Sequence, residues 1–184
     1  QATSTVNYNG SGAQTIAAVN YGNLTSSDAG ARTLAAAGTI GIFTTFTPGA
    51  NVYTVAGSTI NFNGTGNQSV PMPASALYND IQINCTGGTG ATLAAAVTTT
   101  NVAGNITVQT GTLQNGGFAI AGNGSKTFQV NNGASFFLTG TSAMPTGFGT
   151  TTLQATSTVN FAGAAGDPDV DGCGLRSVCS GFSF

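Results

Sequence analysis

The sequence has no glutamate, no histidine and no tryptophan, and its 184 residues hold only three Lys or Arg and five Asp. Each absence excludes something. Without a basic patch there is nothing to neutralise phosphates, so a nucleic-acid partner is not expected. Without His and Glu, proton transfer would fall to Asp, Tyr, Lys or Cys, and the isolated Lys126, Arg32 and Arg176 form no cluster with Asp28 and Asp80. The grouped carboxylates and bases of polysaccharide lyases and hydrolases are missing, so the chain does not read as an enzyme. No apolar run is long enough for a transmembrane helix, and no basic segment precedes an apolar one at the start. The expectation is a mature exported chain whose signal has been removed, or an excerpt of a longer one. With so little charge, solubility rests on hydroxyls and amides. Copies of such a surface repel one another weakly, which favours self-association.

The remainder is Thr, Ser, Asn, Gly and Ala interleaved with Val, Ile, Leu, Phe and Tyr. Good helix formers are scarce, and the runs "TIAAV", "TLAAAG" and "TLAAAV" are too short to hold a helix alone. Strand alternation dominates. The phrase "STVNYNGSGAQTI" at 4 to 16 returns as "STINFNGTGNQSV" at 58 to 70 and begins again as "STVNFAGAAG" at 157 to 166. In the three copies Val6 and Tyr8, Ile60 and Phe62, and Val159 and Phe161 alternate with hydroxyl and amide residues, which predicts that all six face one core. Gly10, Gly64 and Gly163 follow at the same offset, where a turn is expected, and "QTI" and "QSV" restart a strand with Ile16 and Val70 inward.

The echo continues, since "YGNLTSSDAGARTLAAAGTI" from Tyr21 matches "YNDIQINCTGGTGATLAAAVTT" from Tyr78. A unit of several short strands therefore recurs, and short strands punctuated by Gly or Asn run on through "NITVQTGTLQNGGFAIAGNGSKTFQVNNGASFFLTG". This rhythm predicts an all-β parallel β-helix, or β-solenoid, of irregular repeats over residues 1–166. The alternative is a β-sandwich, whose exposed face usually carries the Lys and Glu that are nearly absent here. The Phe residues, mostly in alternating positions, read as core stacks rather than a ligand platform.

The stretches "STVNYNGSGAQTI…YGNLTSS…TLAAAGTI" and "GNITVQTGTLQNGGFAIAGNG" resemble the β-helical repeats of secreted bacterial surface proteins, the filamentous-haemagglutinin-like adhesins and related passenger repeats. The resemblance covers residues 2 to 163. It implies an exported, cell-surface structural or binding protein with no catalytic site to carry over. The present chain is shorter than those adhesins.

Residues 167–184 form a separate C-terminal segment holding an acidic turn, a Cys loop and a last strand. "DPDVDG" places Asp167, Asp169 and Asp171 at alternate positions before Gly172, the opening of a calcium loop. An EF-hand would need Glu at the twelfth position, where Val178 stands, so the alternative is an acidic surface turn. Cys173 and Cys179 in "CGLRSVC" are close enough for a short-loop disulfide, which would imply an oxidising, extracellular compartment. Cys85 follows Ile81 and Ile83 in alternation and reads as a small core residue. The sequons at Asn9, Asn23, Asn63 and Asn105 are what an Asn-, Ser- and Thr-rich chain produces by chance.

Two functions fit. The first is a structural subunit of an extracellular filament, sheath or adhesive fibre, a homopolymer assembling head to tail. The near-identical "ATSTVNYNG" and "ATSTVNFAG" would supply the two ends through Val6, Tyr8, Val159 and Phe161, with Phe182 and Phe184 reinforcing the joint. The second is a binding module for surface glycans or ice, suggested by "TTFT", "VTTT" and "GTTTLQ", although Thr enrichment is equally what strand propensity favours. No cofactor is called for beyond the calcium just described.

Overall fold

The computed structural model describes residues 4–140 and 143–162. Among them the chain is all β, a parallel β-solenoid of about seven turns. Its strands are β1 (Thr5–Tyr8), β2 (Gln14–Ile16), β3 (Asn20–Ser26), β4 (Arg32–Leu34), β5 (Thr39–Thr47), β6 (Tyr53–Thr54), β7 (Thr59–Phe62) and β8 (Gln68–Val70). They continue as β9 (Asp80–Asn84), β10 (Ala91–Leu93), β11 (Ile106–Thr110), β12 (Thr112–Gln114), β13 (Thr127–Val130), β14 (Ser135–Thr139), β15 (Thr150–Leu153) and β16 (Thr158–Ala162).

Odd and even strands part company. The odd strands stack in chain order into one eight-stranded sheet, β1-β3-β5-β7-β9-β11-β13-β15. The even strands make a second wall, split into β2-β4-β6 and β8-β10-β12-β14-β16. All of these ladders are parallel. A sandwich would need antiparallel pairs, so the alternative falls. Single bridges between Val97 and Ile120 and between Ala121 and Thr146 begin a third side in the later turns.

Like stacks on like inside. Ile40, Ile60, Ile81, Ile106 and Phe128 succeed one another in register, and beside them Ile42, Phe62, Ile83, Val108 and Val130 do the same. All ten are buried to within 2 %. Burying each such side chain contributes about 1.5–3 kcal/mol, which is how strands of three to five residues hold together. From the even wall Leu113, Phe136 and Val159 stack likewise, and Phe136 meets Phe128 across the core with ring centroids 5.0 Å apart.

The three copies of the repeated phrase face one core but do not share one wall of it. The first two copies lie in the odd sheet as β1 and β7, but the third is β16, in the even wall. Nor do the first two overlie one another. Thr5 leads through Asn23 to Thr45, whereas Thr59 pairs with Thr39 at the other end of β5. Between these positions Gly22 faces two residues of β5 in a bulge. The phrase thus specifies a local corner, not a place in the stack. Ile60, Phe62 and Val159 are core residues as expected, while Val6 and Phe161 are 41 % and 43 % exposed because each ends a column.

Candidate functional site

The corner written by the repeated phrase is held by a glutamine. Gly10 N–H donates to Gln14 Oε1 at 2.9 Å, and Gly64 N–H donates to Gln68 Oε1 at 2.8 Å. Gln68 also donates from Nε2 to the Ile42 carbonyl of the preceding turn at 2.9 Å. A buried backbone N–H without a partner is costly, and a side chain four residues on supplies one. The sequence signal was present in both copies, as Gln at a fixed offset from Gly.

Arg32 is the residue that sequence reading missed. Placed as an isolated cation, it is fully buried in β4, in register with Gln14. Its Nη2 donates to the carbonyls of Tyr8 at 2.8 Å and Ser27 at 2.7 Å, and Nε donates to Ser26 Oγ at 2.8 Å. Nη1 reaches the carbonyls of Ala31 and Gly10 at 3.2 and 3.3 Å. The guanidinium fork ties the first turn to the second through neutral oxygens. Asn51, Asn101 and Asn115 close other corners in the same manner, each buried and bonded to backbone groups.

The residues expected to carry assembly sit at two poles. At one, Val6 ends the column that continues through Leu24 and Phe46, and Tyr8 is half-buried with its hydroxyl 2.9 Å from that of Tyr21. Tyr21 donates onward to the Ala17 carbonyl at 3.1 Å, so Tyr8 is the donor of the pair. Burial pushes the Tyr21 phenol above its ordinary range. At the other pole Phe161 ends a column above Leu138, while Val159 lies 2 % exposed on Phe136. The end strands do not match as expected: β1 ends the odd sheet, whose far edge is β15, and β16 ends the even wall. Asp167, Asp169, Asp171, Cys173, Cys179, Phe182 and Phe184 lie outside the described residues.

Backbone direction at the first pole is defined. The carbonyls of Ser4 and Tyr8 accept from Asn23 and Ser27, so by alternation the N–H and C=O of Thr5 and Asn7 face away from β3. This is an edge strand of the kind that pairs with another chain.

Elsewhere the chemistry is sparse. Asp80 is occupied by the backbone and side-chain N–H groups of Asn105 at 2.6 and 3.0 Å. Among the described residues no three His, Cys, Asp or Glu side chains come together. Cys85 is a core residue as expected, 1 % exposed, with its thiol 3.1 Å from Gln68 Oε1; burial pushes it up to about 11. A cleft of about 310 Å³ lies beside it between Gly87, Gly88, Gly90 and Gly111. No helix among the described residues is long and apolar enough to cross a membrane.

No family model, curated protein or solved structure matches this chain.

Proposed function

We propose that the chain is a structural element of an extracellular filament, sheath or adhesive surface fibre, joined end to end to further copies through its edge strands. The observation that supports this most is the pair of unfinished columns. Val6 and Phe161 are built like core residues, stacked on Leu24 and Leu138, yet each leaves about two fifths of its surface open at opposite poles. A further turn laid on either pole would cover them and pair the Thr5 and Asn7 backbone groups, which face no strand among the described residues. The contact is heterologous and unclosed, so it propagates into a fibre rather than a ring. In this reading β15 of one copy approaches β1 of the next, and Phe182 and Phe184 lie along the joint as an added strand. The near absence of charge removes the repulsion that would oppose stacking.

The ice-binding reading has less support. The outward column of the even wall carries Thr15, Thr33 and Thr54, then gives way to Ser69, Thr92, Gln114, Phe137 and Asn160. It is a single file of three threonines rather than a continuous flat array.

The test is assembly. Wild-type chain concentrated in neutral buffer should form fibres by negative-stain microscopy. Thr5→Pro removes an outward N–H without breaking a bond to β3, and with deletion of residues 177–184 it should leave folded monomers. A chain that stays monomeric at high concentration, or fibres indifferent to both changes, would overturn the proposal.

A further inference from the structure

Asparagine is followed by glycine five times, at Asn9, Asn63, Asn115, Asn123 and Asn132. In an unfolded chain such a pair is chemically unstable. Glycine has no side chain to keep its nitrogen away from the preceding amide carbon, and its backbone turns freely enough to bring the two together. Attack needs a glycine N–H that can give up its proton and an asparagine amide that can turn towards it. A hydrogen bond at either group holds the pair apart.

Four of the five pairs are held. Gly10 N–H is bonded to Gln14 Oε1 at 2.9 Å and Gly64 N–H to Gln68 Oε1 at 2.8 Å, so the corner glutamines also occupy the nucleophile beside Asn9 and Asn63. Gly133 N–H is shared by the carbonyl and hydroxyl oxygens of Thr156 at 3.2 and 3.0 Å, while Asn132 Oδ1 accepts from Thr156 N–H at 3.1 Å. Asn115 is fully buried, with its Nδ2 donating to the Phe118 carbonyl at 3.0 Å and its Oδ1 accepting from Thr139 N–H at 2.8 Å. That amide cannot turn without orphaning both partners.

Asn123–Gly124 is held at neither group. Asn123, Gly124 and Ser125 are all exposed, in a turn closed by Lys126 N–H on the Asn123 carbonyl at 2.8 Å. Gly124 N–H and Asn123 Nδ2 have no hydrogen-bond partner among the described residues, and a Cβ on Gly124 would meet nothing within 4 Å. Only Asn123 Oδ1 is engaged, by the N–H and hydroxyl of Ser125 at 3.3 and 3.4 Å. These donors face the oxygen on which negative charge develops as the amide carbon is attacked, and they leave the departing nitrogen unrestrained.

We infer that Asn123 is a site of spontaneous deamidation in the folded chain, and that the fold withholds the other four pairs from the same reaction. The Gly124 nitrogen forms a bond to Asn123 Cγ as its proton passes to water, and Asn123 Nδ2 leaves as ammonia with a proton returned from water. A second water opens the resulting cyclic imide at either carbonyl, leaving aspartate or isoaspartate. Nothing is oxidised or reduced. The product carries one further carboxylate, three residues before Lys126, on a chain whose formal net charge is −2.

The experiment ages the full folded chain in mildly alkaline heavy-oxygen water below pH 9, with sampling by peptide mapping; the label marks conversion that preceded digestion. Asn123 should convert at least about ten-fold faster than Asn9, Asn63, Asn115 and Asn132. In urea the five rates should draw together, since the bonds that distinguish them are gone. Gly124→Ala, whose added methyl group faces open space, should slow Asn123 about ten-fold or more and keep the parent melting temperature. The inference is overturned if Asn123 converts no faster than the other four in the folded chain, if the folded order persists in urea, or if Gly124→Ala converts as fast as the parent.

Discussion

Gln68 and Gly64 are bonded to each other across a corner that admits nothing larger than glycine. A Cβ on Gly64 would lie 2.2 Å from the Phe43 carbonyl of the preceding turn, whereas on Gly10 it would meet only the Gln14 side chain at 3.0 Å. Gly64→Ala therefore forces backbone apart and should cost about 3 kcal/mol or more, and Gly10→Ala about 1 kcal/mol. Gln68→Leu should cost about 1–3 kcal/mol by orphaning the Gly64 N–H, while the Ile42 carbonyl keeps the Asn63 N–H. Urea midpoints of the three variants check the order.

Arg32 should tolerate no cationic substitute. Lysine has a single ammonium and cannot reach Ser26 Oγ and the Tyr8, Ser27 and Gly10 carbonyls together. Arg32→Lys is expected to lose about 3 kcal/mol and to open the first turn before the rest. Amide exchange should accelerate at Gln14 and Asn23, which donate to the Ala31 and Ser4 carbonyls, while Ile81 and Val108 stay protected.

Inside and outside on the odd sheet are separable by one charge. Phe62 is fully buried, so Phe62→Asp should cost about 3 kcal/mol or more. Thr107, outward between Gln82 and Gln129, should accept Asp with a change within about 0.5 kcal/mol. Thr59 is the poorer control because it pairs with Asp80, and a second carboxylate there would face the first. Equal losses at Phe62 and Thr107 by thermal melting would contradict the assignment.

The fold should weaken in alkali. Cys85 is raised from its ordinary 9.0 to about 11 by burial, so the unfolded chain releases this proton before the native one does. Its contribution is intact below pH 9 and is lost as pH climbs from 9 towards 11. Burial likewise holds the Tyr53 and Tyr78 phenols above 10.0, extending the decline. In Cys85→Ala the melting temperature should stay level to about pH 10, where the wild type already falls; identical curves would refute the thiol's part.

The acidic turn is open to direct measurement. Calcium titrated into the full chain should give heat and a higher melting temperature if Asp167, Asp169 and Asp171 converge on an ion, and Asp169→Asn should abolish both. Intact mass before and after reduction tests the Cys173–Cys179 bridge, whose loss should loosen the calcium. No heat would retire the metal.

Much of the architecture was legible because alternation fixes which side of a strand is dry: Ile60, Phe62, Val159, Ile16 and Val70 all lie where period two puts them. Stacking order was not legible. Which copy lies over which depends on how many residues each turn spends at its corners, and that is invisible to a phrase encoding one corner well. The fate of Val6 and Phe161 depends on what lies beyond them, not on their own pattern. Arg32 looks like a stray charge in the sequence because its partners are carbonyl oxygens and the Ser26 hydroxyl, which no sequence motif advertises.

Thr5 lies over Asn23 and Ile81 over Ile106, so successive turns differ in length yet still land in register. Growth and loss of sequence are thereby confined to the bends. A codon gained at a bend alters that corner and the bonds it makes, whereas the same codon inside Ile81–Ile83 would exchange dry side for wet along the rest of the strand. A lineage built this way can drift in length without drifting in cross-section. Its descendants would share the inward procession of aliphatic side chains long after their corners had ceased to align.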